Sequence, residues 1–278
     1  MRGGQPPELR ATDERGWFRF QRLYDTARSA VRGGADVRRL VLEAAEDDRA
    51  EGSGWLEIQV DPTSYAPWLG GLTPAVEVVL DAAREAQAAT GVGIGVVIAA
   101  NRTRHPLDAR TLARLAARYA GAGVVGFGLS NDERRGVTED FAPAFRIAAR
   151  AGLLAAPHGG ELAGPGSMRA CLASLGARRI GHGVTSAEEP ALLERLARDE
   201  VTLEVCPMSN VRLGVFDARG YRRLRKHQAV QQDSAHQDDH SRQHPPRSGA
   251  VQDRTQGHYA RNETERTPEP YPSVRARA

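Results

Sequence analysis

LLAAPHGGE, residues 153–161, is a short apolar run that stops at a histidine, two glycines and a glutamate. A strand covered on both faces, as in a parallel sheet, needs no polar alternation, so LLAAP (153–157) reads as such a strand. His158 and Glu161 then stand three apart just past its end. Working outward, the pattern recurs in WLEIQV (55–60), GIGVVIAA (93–100), GVVGFGL (123–129), RIGHGV (179–184) and VTLEVC (201–206). Polar residues gather where these runs finish: Asp61, Asn101, Asn131-Asp132-Glu133, His182, Ser209 and Asn210.

Between the runs lie helices with their own punctuation. Thr73-Pro74 predicts an N-cap and first-turn proline ahead of the stripe Val76, Val79, Leu80 and Ala83, which ends before Gly91. Asp108 opens a helix whose Leu112, Leu115 and Tyr119 share a face, and Ser186 with Glu189 has the capping-box spacing ahead of Leu192, Leu193 and Leu196. Two more helices are expected over 17–31 and 36–50. His105, between a strand and a helix, reads as solvated. Strands alternating with helices imply an α/β chain with a parallel sheet, either doubly wound or a (β/α)₈ barrel. Because almost every strand end contributes polar groups, the barrel is favoured over a single crevice. Six of its strands, the second to the seventh, are visible.

Of 278 residues, 40% are hydrophobic and 26% charged, a globular balance. No apolar run approaches the ~18 residues of a membrane-spanning helix. The start, MRGGQPPELR, lacks the apolar region of a secretory signal, and two cysteines exclude a disulfide framework. A cytoplasmic location is expected. Net charge is +3, but residues 217–278 hold 12 Lys and Arg against 8 Asp and Glu, whereas 1–216 hold 26 against 27. The body therefore lacks the basic footprint of a nucleic-acid binder. After Leu224 there is no Leu, Ile, Met, Phe, Trp or Cys, so 217–278 is expected to be a disordered, basic, low-complexity tail behind a folded unit at 1–216. His236, His240 and His244, spaced by four, read as part of that solvated tract more readily than as a metal site.

An imidazole at a strand end can ligate a metal, and a nearby Glu can exchange a proton with a substrate. Alone, PHGGE is more often a capped turn with a solvated Glu, and a histidine within an apolar strand is more often a hydrogen-bonded core residue. Two histidines on neighbouring strand ends, with a carboxylate, make a shared site the better reading. Cys206 has no base among its sequence neighbours and reads as a buried packing thiol.

PHGGE, then RIGHGV, then EVCPMSNVRLGV, with GFGLSNDERRG between the earlier strands, resembles the adenosine deaminase family of zinc hydrolases over roughly residues 6–216. The resemblance implies hydrolytic deamination of a purine such as adenosine, with no nucleic-acid or membrane partner. His158 would be a zinc ligand, Glu161 a proton donor to the ring, and His182 the group orienting the attacking hydroxide. Asn131, Asp132 and Gly160 would face the purine, although the family usually places Gly where Asn131 stands. Zinc would lower the pKa of a water from about 15.7 toward about 7.

The family's first strand ends in His-x-His, two more zinc ligands, and its eighth in an Asp pair, of which one Asp binds zinc. This chain has no His-x-His, and its one Asp-Asp after Phe216, Asp238-Asp239, follows no apolar strand. Only His158 of four expected ligands is present, so impaired catalysis is expected. A late start and a frameshift near Phe216 would explain the pattern; Lys226 as the sole lysine fits a GC-rich coding sequence. The alternative is a non-catalytic fragment that completes a barrel with a partner chain. The strands at 55–60 and 201–206 would then be open parallel edges.

Overall fold

The computed structural model describes residues 14–215. Helices α1 (Glu14–Arg28) and α2 (Gly34–Ala50) precede β1 (Trp55–Val60). Helices α3 (Ala66–Leu69) and α4 (Leu72–Thr90) lead to β2 (Gly93–Asn101), and α5 (Pro106–Arg118) leads to β3 (Val124–Ser130). The alternation continues through α6 (Ala142–Arg150), β4 (Leu154–Gly159), α7 (Gly164–Leu175), β5 (Arg179–His182), α8 (Pro190–Arg198), β6 (Thr202–Glu204) and α9 (Pro207–Arg212). The strands pair in sequence order, every neighbour parallel. Each expected strand is present within a few residues of its place.

The sheet curls. In a flat sheet β1 would lie about 14 Å from β4 and about 19 Å from β5, at about 4.8 Å per strand. Yet Gln59 Nε2 of β1 is 3.2 Å from His158 Nε2 of β4, and Arg179 of β5 pairs with Glu57 of β1. Such contacts require β1 to β6 to form an incomplete (β/α)₈ barrel with β1 and β6 at its two ends. Arg179 also reaches Glu204 of β6 at 3.2 Å, so one guanidinium links both edge strands across the inner face.

Alternation along each strand separates two environments. Outward residues such as Ile94, Val96, Ile98, Phe127, Leu129 and Ile180 meet Val76, Leu80, Leu112 and Ala116 of the helices in the core. Phe127 and Phe145 stack edge to face at 5.1 Å. Inward residues toward the C-terminal strand ends are polar or very small, whereas Trp55, Val97 and Val125 pack against the inward glycines nearer the strand starts. Glycine at 128 leaves room for Gln59, whose Oε1 would lie 2.8 Å from an added Cβ.

Several helix starts differ from the sequence expectation. Helix α4 begins at Leu72 behind Gly71, whose φ of 129° swings the chain in; Thr73 lies inside the helix. Pro74 is tolerated because first-turn N–H groups have no intrahelical acceptor. His105 caps α5, its Nδ1 accepting from Leu107 N at 3.2 Å while the ring stays exposed; Asp108 sits in the first turn. Ser186 does not cap α8. It lies in a 3₁₀ turn, where its hydroxyl donates to the Gly183 carbonyl, and Glu189 precedes Pro190 at the helix start. The residue before a proline is pushed to extended backbone, so the helix starts only at Pro190. The first helix runs three residues earlier than expected, because residues 29–33 form the turn that brings Arg32 N and Gly33 N to the Asp36 carboxylate.

No helix among the described residues is long and apolar enough to cross a membrane. The expected tail at 217–278, with His236, His240 and His244, lies outside the described residues.

Candidate active site

His158 ends β4 pointing inward, and the pairing of β4 with β5 sets His158 opposite Gly181 and Gly159 opposite His182. The two imidazoles meet edge to face, their centroids 4.8 Å apart. Gly181 makes this approach possible, since a Cβ there would lie 2.5 Å from His158 Cδ2. Gly181→Ala is therefore expected to displace the His158 ring at a cost of about 1–3 kcal/mol. Chemical denaturation together with the histidine ring NMR signals would check it; an unshifted His158 resonance would count against the packing described.

His182 has φ of +68° and Gly183 follows at +65°. A left-handed histidine costs roughly 1–2 kcal/mol, and here the turn carries its ring off the strand toward Glu161. His182 Nε2 lies 3.5 Å from Glu161 Oε2. On the other side, the amide of Asn210 in α9 is 3.2 Å from His182 Nδ1 and fully buried. With Asn210 Nδ2 as donor, neutral His182 carries its proton on Nε2, facing the carboxylate.

Glu161 is 6% exposed. Burial first, then the Glu133 and Asp132 carboxylates, hold its carboxyl above the usual range despite the opposing pull of His182. His158 is held well below the usual histidine range, by its protein surroundings first and then by His182 and Arg102. Glu161 thus offers a carboxyl inclined to keep its proton.

Glu133, three residues past β3, fixes the loop that carries Glu161. Its Oε2 accepts from the backbone N–H groups of Glu161, Leu162 and Ala163 at 2.9, 2.6 and 3.0 Å, and Oε1 accepts from Ser167 Oγ at 3.2 Å. Glu133 therefore caps this turn of the chain. Asp132 is also engaged: its carboxylate accepts from Arg134 Nε at 2.8 Å and Nη2 at 3.0 Å. Burial pushes that carboxyl up, and the Arg134 and Arg135 guanidiniums outweigh it, leaving it below the usual range.

Asn131 has φ of +80°, with its Oδ1 accepting from Asp132 N at 2.8 Å. Asparagine thus adopts the left-handed backbone that a glycine takes most easily. Gly160 is left-handed too, its N–H donating to Ser167 Oγ and its carbonyl accepting from Thr185 N and Oγ1. Asp61 and Asn101 cap local turns through Thr63 and Thr103, and Ser209 is exposed.

Three contributors escaped the sequence. Arg102 is buried, donating to the His158 carbonyl at 2.8 Å and to Thr138 Oγ1 at 3.4 Å, with its Nε unpartnered. Gln59 covers His158, and Asn210 was noted only as one more polar strand-end residue. Cys206, at the start of α9 just past β6, is half-buried rather than buried. Burial first, then Glu161 and Glu204, push its thiol up to about 11, and Cys171 is pushed up to about 12 chiefly by burial. Neither is a ready nucleophile.

A family model described as adenosine deaminase matches residues 5–229. The chain belongs to the adenosine deaminase family. A Streptomyces virginiae protein provisionally named adenosine/adenine deaminase is 68% identical over 217 residues, covering 78% of this chain and 64% of that protein. The crystal structure of an adenine deaminase from Arthrobacter aurescens superposes with a TM-score of 0.70 at 28% identity, over 80% of this chain and 67% of that one. An amidohydrolase from Burkholderia ambifaria, solved with bound zinc, shares the fold at 23% identity, with a TM-score of 0.62 over 71% and 54% of the two chains. This chain spans less than two thirds of the Streptomyces relative's length.

His158, Glu161 and His182 bring ligand atoms within 4.8 Å of one another, the one such cluster among the described residues. The family arrangement implied by the sequence asks for His158 with three further protein ligands. In that arrangement Glu161 and His182, the donors beside it, serve as the proton donor and the group orienting the hydroxide rather than as ligands. The described residues therefore do not fit the family's zinc set.

Proposed function

We propose that this half-barrel is the proton-handling half of a deaminase site for a 6-aminopurine, adenine or adenosine, and that the chain by itself is impaired in turnover. The observation that carries the reading is the buried Glu161–His182 pair beside His158, at the ends of adjacent parallel strands in an adenosine deaminase family fold.

In the overall reaction one water adds to the ring carbon bearing the amine, the amine leaves as ammonia, and the 6-oxo purine remains. Glu161, buried and inclined to hold its proton, supplies that proton to the ring nitrogen beside the attacked carbon. His182, set by Asn210 and the left-handed turn, holds the attacking water against the opposite side of the pair. Glu133 keeps Glu161 in place by gripping the loop backbone. Hydroxide at neutral pH needs a firmly bound cation, and His158 alone does not grip one.

A hybrid tests this. Residues 14–215 replace the matched segment of the Streptomyces relative, which restores the missing part of the site. The hybrid is expected to release ammonia from adenine or adenosine. Release from neither, by a folded hybrid whose parent is active, would overturn the proposal.

A further inference from the structure

We propose that a divalent transition-metal ion entering this chain is held by His158, Glu161 and His182 together, so that the acid–base pair becomes part of the metal's own shell. This departs from the family arrangement, in which only the first of the three touches the metal. It also stands apart from the purine reading, since metal binding requires no substrate.

Two imidazoles and a carboxylate are a donor set that zinc accepts with one position left open. In a tetrahedral site with bonds of about 2.0–2.1 Å, ligand atoms lie about 3.4 Å apart. Glu161 Oε2 and His182 Nε2 already stand at 3.5 Å. The full cluster, within 4.8 Å, closes by side-chain rotation toward a shared ion. The backbone need not move, because β4 and β5 are paired at these residues and Glu133 anchors the Glu161 loop.

The Asn210 amide, 3.2 Å from His182 Nδ1, is able to serve the tautomer that metal binding needs. Its Oδ1 is buried and has no hydrogen-bond partner among the described residues. Turning that amide over lets Oδ1 accept from His182 Nδ1–H, which frees the Nε2 lone pair for an ion. Metal-bound histidines usually donate their second ring N–H in this way. A carboxylate bound to a cation carries no proton, so the ion would occupy the pair without activating it.

The experiment uses the whole 278-residue chain with His227, His236, His240, His244 and His258 replaced by Gln, so that tail imidazoles do not compete. Zinc is titrated against a chromophoric chelator, and cobalt is followed by the visible bands of four-coordinate Co²⁺. One ion per chain is expected. Glu161→Gln, His182→Gln and His158→Gln should each weaken binding by more than about 100-fold, beyond the roughly 10- to 100-fold that changes to groups behind the ligands commonly cause. Far-UV circular dichroism checks folding, and the near-isosteric Glu161→Gln decides if a histidine variant unfolds. Affinity unchanged within about twofold in Glu161→Gln would overturn the proposal, as would the absence of any stoichiometric site once the tail imidazoles are gone.

Discussion

Replacing Glu133 with alanine is expected to destabilise the described unit by about 3–5 kcal/mol. Three backbone N–H groups, of Glu161, Leu162 and Ala163, converge on one carboxylate oxygen inside the protein. Leaving a buried donor unpaired costs about 1–3 kcal/mol, and water entering the space left by the side chain offsets part of the sum. Glu133→Gln keeps an acceptor oxygen and loses only the charge, so it should cost about 1–2 kcal/mol. Urea denaturation reads both values, and amide exchange at 161–163 should quicken far more in the alanine variant. Equal, small losses for the two variants would show that the carboxylate does not hold this loop.

In the hybrid, Glu161→Gln is expected to lower kcat for ammonia release by about 100- to 10,000-fold, with the KM for adenine or adenosine changing little. Glutamine preserves the shape and its amide can still hydrogen-bond a ring nitrogen, but it has no acidic proton to give. The pH profile carries the same signature. Because burial raises the Glu161 carboxyl, the proton needed for donation persists above the pH at which an ordinary carboxyl of about 4.3 has lost it. Activity that depends on it should fall as pH rises through that raised value, and Glu161→Gln should abolish this limb. An unchanged kcat would remove Glu161 from the chemistry.

The strands were legible because burial on both faces writes them as unbroken apolar runs. His158 and His182 were legible because a polar ring at the end of such a run has no packing reason to be there. Gln59 and Arg102 left no comparable signal. Gln59 sits 99 residues from His158 in sequence and meets it only because the sheet curls. Arg102, buried at 1% exposure, looks like any loop arginine until Thr138 and the His158 carbonyl close around it. Helix starts failed for a different reason. Ser186 and Thr73 carry good capping side chains, but Pro190 and Gly71 fix the backbone, and backbone geometry outranks a side-chain preference. Glu133 shows the middle case, since its sequence position placed it near the site but could not say whether it faces a ligand or the chain's own N–H groups.

Ammonia release from adenine and adenosine, with zinc supplied, should be measured on the 278-residue chain and on the hybrid side by side. Ionising a water of pKa about 15.7 instead of about 7 costs about 12 kcal/mol, of which the stronger nucleophile formed recovers only part. Without zinc the chain is therefore expected to run at least about 1,000-fold below the hybrid, and with zinc it stays below it because an ion held on Glu161 takes the proton donor out of use. Rates within about 10-fold of the hybrid, from the chain as a monomer, would contradict the account.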